Sequence, residues 1–183
     1  VYEFSSLDQQ NKISLFPDSI ALVTTNYLGW EKFVEDLFSF IDDGLNVVLP
    51  TKRLGRVGLR YKDIIQRSAL GIEADSWKEL LNPTIANLDQ DDELANSLIG
   101  AQSSFTLDLQ NCDGILKANY GLVTHQQSQE VCFLIDSDFI VEGDIEYVSA
   151  RTNLDTFNIK SRNFFQWCIT RRLYDALEPE EIN

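Results

Sequence analysis

Arg56, Arg60 and Lys62 occupy even positions of a segment, Arg56 to Ile65, in which Val57, Leu59 and Tyr61 take the odd ones. This alternation marks a strand, because successive side chains point to opposite faces. The three cations therefore share one face, with same-side neighbours about 6–7 Å apart. Such a strip could bind an anionic ligand or orient an acidic protein partner. It could equally pair with some of the chain's 29 carboxylates, each surface pair contributing roughly 0–1 kcal/mol.

Asp136 and Asp138 sit on one face of an apolar run that extends from Val131 to Val141. Two carboxylates so placed could hold a divalent cation, with Asp63 as a third ligand by register, as in metal-dependent nucleases and phosphatases. The same residues could instead pair with arginine, and Asp136 and Asp138 are expected as structural ion-pair partners of the basic strand. No catalytic residue, metal ligand or cofactor is assigned. The single histidine, His125, falls in a polar loop, and one histidine rules out a multi-histidine metal site within the chain. No serine or cysteine stands in a nucleophile pattern, and the glycines form neither a dinucleotide fingerprint nor a phosphate loop.

The elements that must position these residues are legible as changes of period. Three short strands open the chain, Tyr2 to Ser6, Lys12 to Phe16 and Ser19 to Thr25, the last two joined by a turn at Pro17-Asp18. Trp30, Phe33, Val34, Leu37, Phe38 and Ile41 then form one helical stripe, with Gly44 as the expected stop. The basic strand follows. A short helix is expected around Asp75 to Leu81, capped by Asp75 or Ser76 and ended at Asn82-Pro83. The acidic stretch with Asp89, Asp91, Asp92 and Glu93 reads as a surface loop with a helical piece. Strands over Phe105 to Leu109, Leu116 to Leu122 and Val131 to Val141 come next, the last the most buried. A long helix from Asn153 to Leu177 closes the chain, with Leu154, Phe157, Phe164, Phe165, Cys168, Ile169, Leu173 and Ala176 facing inward. Trp30, Trp77 and Trp167 fall on helices, where core packing is expected. The order β-β-β-α-β-α-β-β-β-α points to an α+β fold, an antiparallel sheet with helices packed on one face.

At 183 residues and 44% hydrophobic content the chain is read as a single α+β domain, 1–183, with a real core. A net charge of −14 argues against a nucleic-acid binder, which needs a positive face. No apolar run reaches the length of a membrane span and no signal-peptide pattern opens the sequence. Cys112, Cys132 and Cys168 lie far apart, as reduced core thiols do, so the protein is read as cytoplasmic. A start at Val1 in a chain with no methionine is taken to mean that a natural N-terminal segment is missing.

Four motifs are distinctive: Arg56-Val57-Gly58-Leu59-Arg60-Tyr61, Tyr27-Leu28-Gly29-Trp30-Glu31-Lys32-Phe33, Leu134-Ile135-Asp136-Ser137-Asp138-Phe139 and Phe165-Gln166-Trp167-Cys168-Ile169-Thr170. Taken in chain order they resemble a sporadically distributed family of uncharacterised bacterial and archaeal proteins carrying an RxGLRY motif. The resemblance runs over nearly the whole chain, from Phe4-Ser5-Ser6 onward, and implies a prokaryotic protein. After Arg60-Tyr61 the family has an apolar residue and an asparagine, where Lys62 and Asp63 stand here. The resemblance brings no known activity.

The reading of function is therefore a non-enzymatic interaction module that binds a protein partner or anionic ligand through Arg56, Arg60 and Lys62. The alternatives are a helix-grip-like domain holding a small apolar molecule and a metal-dependent hydrolase using Asp136 and Asp138. The sequence does not specify an oligomeric state.

Overall fold

The computed structural model describes residues 1–45, 53–86 and 98–178. The chain divides into two compact units, Val1–Arg53 and Leu54–Asn183. In the first, β1 (Tyr2–Ser5), β2 (Asn11–Leu15) and β3 (Ile20–Thr24) form an antiparallel meander, followed by α1 (Trp30–Leu45). Phe4 pairs with Ile13 and Ile13 with Leu22, so the period-two pattern gathers apolar side chains on one face of the meander. The Pro17-Asp18 turn is closed by the Phe16 N–H donating to the Ser19 carbonyl at 2.8 Å. The α1 helix runs through Gly44 to Leu45, so the glycine does not stop it.

The second unit carries a four-stranded sheet in the order β4-β7-β6-β5, where β4 is Arg53–Ile65, β5 Ala101–Asp108, β6 Ile115–Thr124 and β7 Val131–Glu146. Both sheets among the described residues are antiparallel, and the fold is α+β with the strand and helix order expected. The β7 strand is central and apolar on both faces, which follows from Cys132, Phe133, Ile135, Phe139, Ile140 and Val141 all being buried. The start of β5 comes so close to β6 that a Cβ on Gly121 would stand 1.9 Å from the Ala101 carbonyl oxygen, and Gly121 also has φ of +148°. Only glycine fits there.

One face of this sheet is covered by helices. The short α2 (Trp77–Leu80) starts at Ser76, whose backbone N–H and hydroxyl both donate to the Glu79 carboxylate at 2.8 Å. The C-terminal region, expected as one helix, is two: α3 (Tyr147–Cys168) and α4 (Arg171–Ala176). The break has a clear cause. Ile169 leaves the helix to make an antiparallel bridge with Leu81, Asn82 N–H donates to the Cys168 carbonyl at 2.8 Å, and Thr170 N–H to the Leu80 carbonyl at 2.9 Å. Thr170 then caps α4, its hydroxyl accepting from the Leu173 N–H. At its other end α3 begins at Tyr147, six residues before the expected Asn153, because β7 continues to Glu146 and turns directly into it.

Phe157 of α3 packs on Phe139 of β7 with ring centroids 6.1 Å apart. Cys168, Ile169 and Leu173 join Trp77, Leu80, Leu81, Phe133 and Ile135 in the main core cluster. Phe164 and Phe165 are only partly buried beside it. The three cysteines are free thiols, with Cys132 and Cys168 buried. The acidic segment around Asp89 to Glu93 lies outside the described residues. No helix among the described residues is long and apolar enough to cross a membrane.

Candidate functional site

The side of the sheet away from the helices carries the charged residues. Along β4, Val57, Leu59 and Ile65 are buried while Arg56, Gly58, Arg60, Lys62 and Ile64 are exposed, so the cations share the outer face. On β7, Asp136 and Asp138 alternate with the inward Ile135, Ser137 and Phe139 and therefore face the same way as the arginines. The two acidic positions meet the two arginines across the β4–β7 pair. Arg60 grips Asp136 with two parallel bonds, Nε to Oδ1 at 2.6 Å and Nη2 to Oδ2 at 2.5 Å. Arg56 Nη2 donates to Asp138 Oδ2 at 3.4 Å, and its Nε stands 3.9 Å from Glu142 Oε1.

The two pairs differ in burial. The Asp136 side chain is 8% exposed beneath an Arg60 side chain that is itself half exposed. This fork geometry is the strong form of a carboxylate–arginine contact, and the Asp136 hydrogen bonds raise the affinity of Arg60 for its proton. Arg56 is looser and 54% exposed. The Asp138 carboxyl is pushed up by burial, with Arg56 and Arg60 opposing the rise. On the far side, Lys117 of β6 stands directly opposite Asp138 in the register and is exposed. Lys62 is exposed and forms no ion pair with another described residue. The sequence reading missed Lys117 and Glu142, and only the strand register could have supplied them.

Asp63 does not join Asp136 and Asp138 as the expected third metal ligand, because its odd number puts it with Val57, Leu59 and Tyr61 on the helix-covered face. Burial alone raises its carboxyl from the ordinary 3.8 to about 6. It also adds to the rise of the Cys168 thiol, which burial pushes up to about 12. With Asp136 already holding Arg60 and Asp63 on the opposite face, the three carboxylates do not converge. Among the described residues no cluster of histidine, cysteine or carboxylate side chains has metal-holding geometry.

The remaining residues singled out by sequence have structural places. His125 lies in the β6–β7 loop with Nδ1 2.9 Å from the Ser128 hydroxyl. Away from the strip, Arg171 pairs with Asp175 and Arg172 with Asp75. Trp77 is buried under the Arg67 guanidinium, whose carbon stands 4.5 Å from the ring centroid. Trp167, expected in the core, is 44% exposed and stacks on Phe164 at 6.0 Å. A cavity between Trp77, Ile85, Leu98, Tyr120 and Phe133 measures about 20 Å³, room for one water molecule. A small apolar ligand needs a space of roughly 300 Å³ or more.

The site belongs to a two-layer α+β unit with one helix-covered face and one open, mixed-charge face ending in a cationic edge strand. Comparison with protein-family models, curated proteins and solved structures finds no match to the chain.

Proposed function

We propose that this chain is a non-enzymatic interaction module that receives a protein partner or anionic ligand on the cationic side of β4. The observation that carries the reading is the pairing pattern on the outer face. Asp136 fixes Arg60 in place, whereas Lys62 projects into solvent and Arg56 holds its own partners loosely. Arg60 uses Nε and Nη2 on Asp136, which leaves the outward N–H groups of a five-donor fork for an incoming anion. On a chain of net charge −14, such a strip is a local reversal of sign, and it would steer an anion to one place.

The hydrolase reading draws no support from carboxylates that point to different faces, nor the small-molecule reading from a cavity the size of one water. The binding reading is tested by titrating a labelled oligoglutamate into the protein at graded ionic strength. Binding is expected that weakens with salt and falls about tenfold in Lys62→Glu, since a Debye length of about 8–10 Å screens an exposed cation. A probe that fails to bind at low salt, or binds Lys62→Glu equally well, would overturn it.

A further inference from the structure

We infer that the partner is an extended acidic peptide segment that adds a fifth strand to the free edge of β4, with acidic side chains at alternate positions facing Arg56, Arg60 and Lys62. This inference rests on the cationic-strip reading and specifies its mode and its ligand class. Three observations lead to it. First, β4 is an edge: the sheet order places β7 on one side of it and no strand among the described residues on the other. Half of its backbone N–H and C=O groups point away from β7, a ready template for a further strand.

Second, this edge is long and unbroken. It runs for 13 residues without a proline, whereas edges meant to stay unpaired are usually short, bulged or interrupted by proline. Charge is the deterrent its sequence does carry. The cations oppose pairing with a second copy of the same strand, because Arg56, Arg60 and Lys62 would meet like charges across the new ladder. They favour a strand whose same-face residues are acidic.

Third, β7 already displays the complementary pattern. Asp136 and Asp138, two residues apart on one strand face, satisfy Arg60 and Arg56 from one side of β4. A strand on the opposite side with the same spacing presents carboxylates to the outward halves of the two guanidinium groups and to Lys62. Gly58 lies between Arg56 and Arg60 on that face and adds no side chain, and the Arg56 guanidinium lies over it, 3.7 Å from where a Cβ would stand. Main-chain pairing would supply affinity and the alternating charges would supply register, as in strand addition generally.

The experiment uses the full chain and a fluorescent peptide of about eight residues alternating aspartate and valine, a length β4 can flank. The same peptide N-methylated at alternate amides keeps its charge but cannot pair along one edge. A single-stranded oligonucleotide of equal charge is the third probe, and Lys62→Glu and Arg56→Glu are the variants, their folding checked by urea midpoint. The unmodified peptide is expected to bind and to protect alternate β4 amides from hydrogen exchange. N-methylation is expected to weaken it about 100-fold, as the loss of three or four main-chain hydrogen bonds implies. Each charge reversal is expected to weaken it about tenfold. Equal binding of the N-methylated peptide overturns strand addition and leaves the cationic strip standing. Binding of the oligonucleotide in preference to the peptide overturns the ligand class. Indifference of every probe to both variants overturns the strip as well.

Discussion

Replacing Arg60 by alanine tests whether the strip has a fixed anchor. The change removes both bonds to Asp136 and leaves on β7 a carboxylate whose side chain is 8% exposed. Breaking a buried ion pair from one side destabilises by about 3–5 kcal/mol, because the remaining charge is left desolvated and unmatched. Here the Arg60 side chain is 50% exposed, so the space it vacates opens to water and the lower end, about 3 kcal/mol, is expected. That is still well above the roughly 0–1 kcal/mol of a surface pair, and a large share of a typical domain's 5–15 kcal/mol. Arg60→Lys keeps the charge but not the fork, and should lose about 1–2 kcal/mol. The double variant Arg60→Ala with Asp136→Ala removes the orphaned charge, so the two losses should fall short of additive by about 2 kcal/mol. Urea denaturation at neutral pH, followed by tryptophan fluorescence, measures all three. A loss below about 1 kcal/mol for Arg60→Ala, or strict additivity in the double variant, would refute a structural role for the pair.

Two further outcomes follow from burial. Asp63 binds its proton more tightly folded than unfolded, so its stabilising contribution is complete below pH 3.8 and is lost as the pH rises through about 6. Asp63→Asn should therefore flatten the pH dependence of stability across that window and gain about 2–3 kcal/mol above it, read from urea midpoints; an unchanged slope would show the carboxyl to be solvated. Phe157→Ala should lose about 3–5 kcal/mol and Phe165→Ala clearly less, since Phe157 is fully buried against Phe139 and Phe165 only partly covered; equal losses in thermal melts would contradict this packing.

Much of the architecture was legible because side-chain period is a local property. The stripe of Trp30, Phe33, Val34, Leu37, Phe38 and Ile41 could only be a helix, and the alternation around Val57, Leu59 and Tyr61 only a strand. The same parity put Arg56, Arg60 and Lys62 on one face, and it also assigned Asp63 to the other, a consequence the metal-site reading overlooked. The break between α3 and α4 was not legible. Residues around Ile169 and Thr170 continue an apolar helical pattern, and the pull that unwinds them comes from Leu80, Leu81 and Asn82, more than eighty residues earlier. Likewise the sequence put two aspartates on a strand and two arginines on another, each in a pattern open to several uses. That Asp136 meets Arg60, that Asp138 meets Arg56 and Lys117, and that β4 ends the sheet are matters of strand order and register. Long-range pairing depends on which faces the whole sheet must bury, and no window of local sequence contains that information.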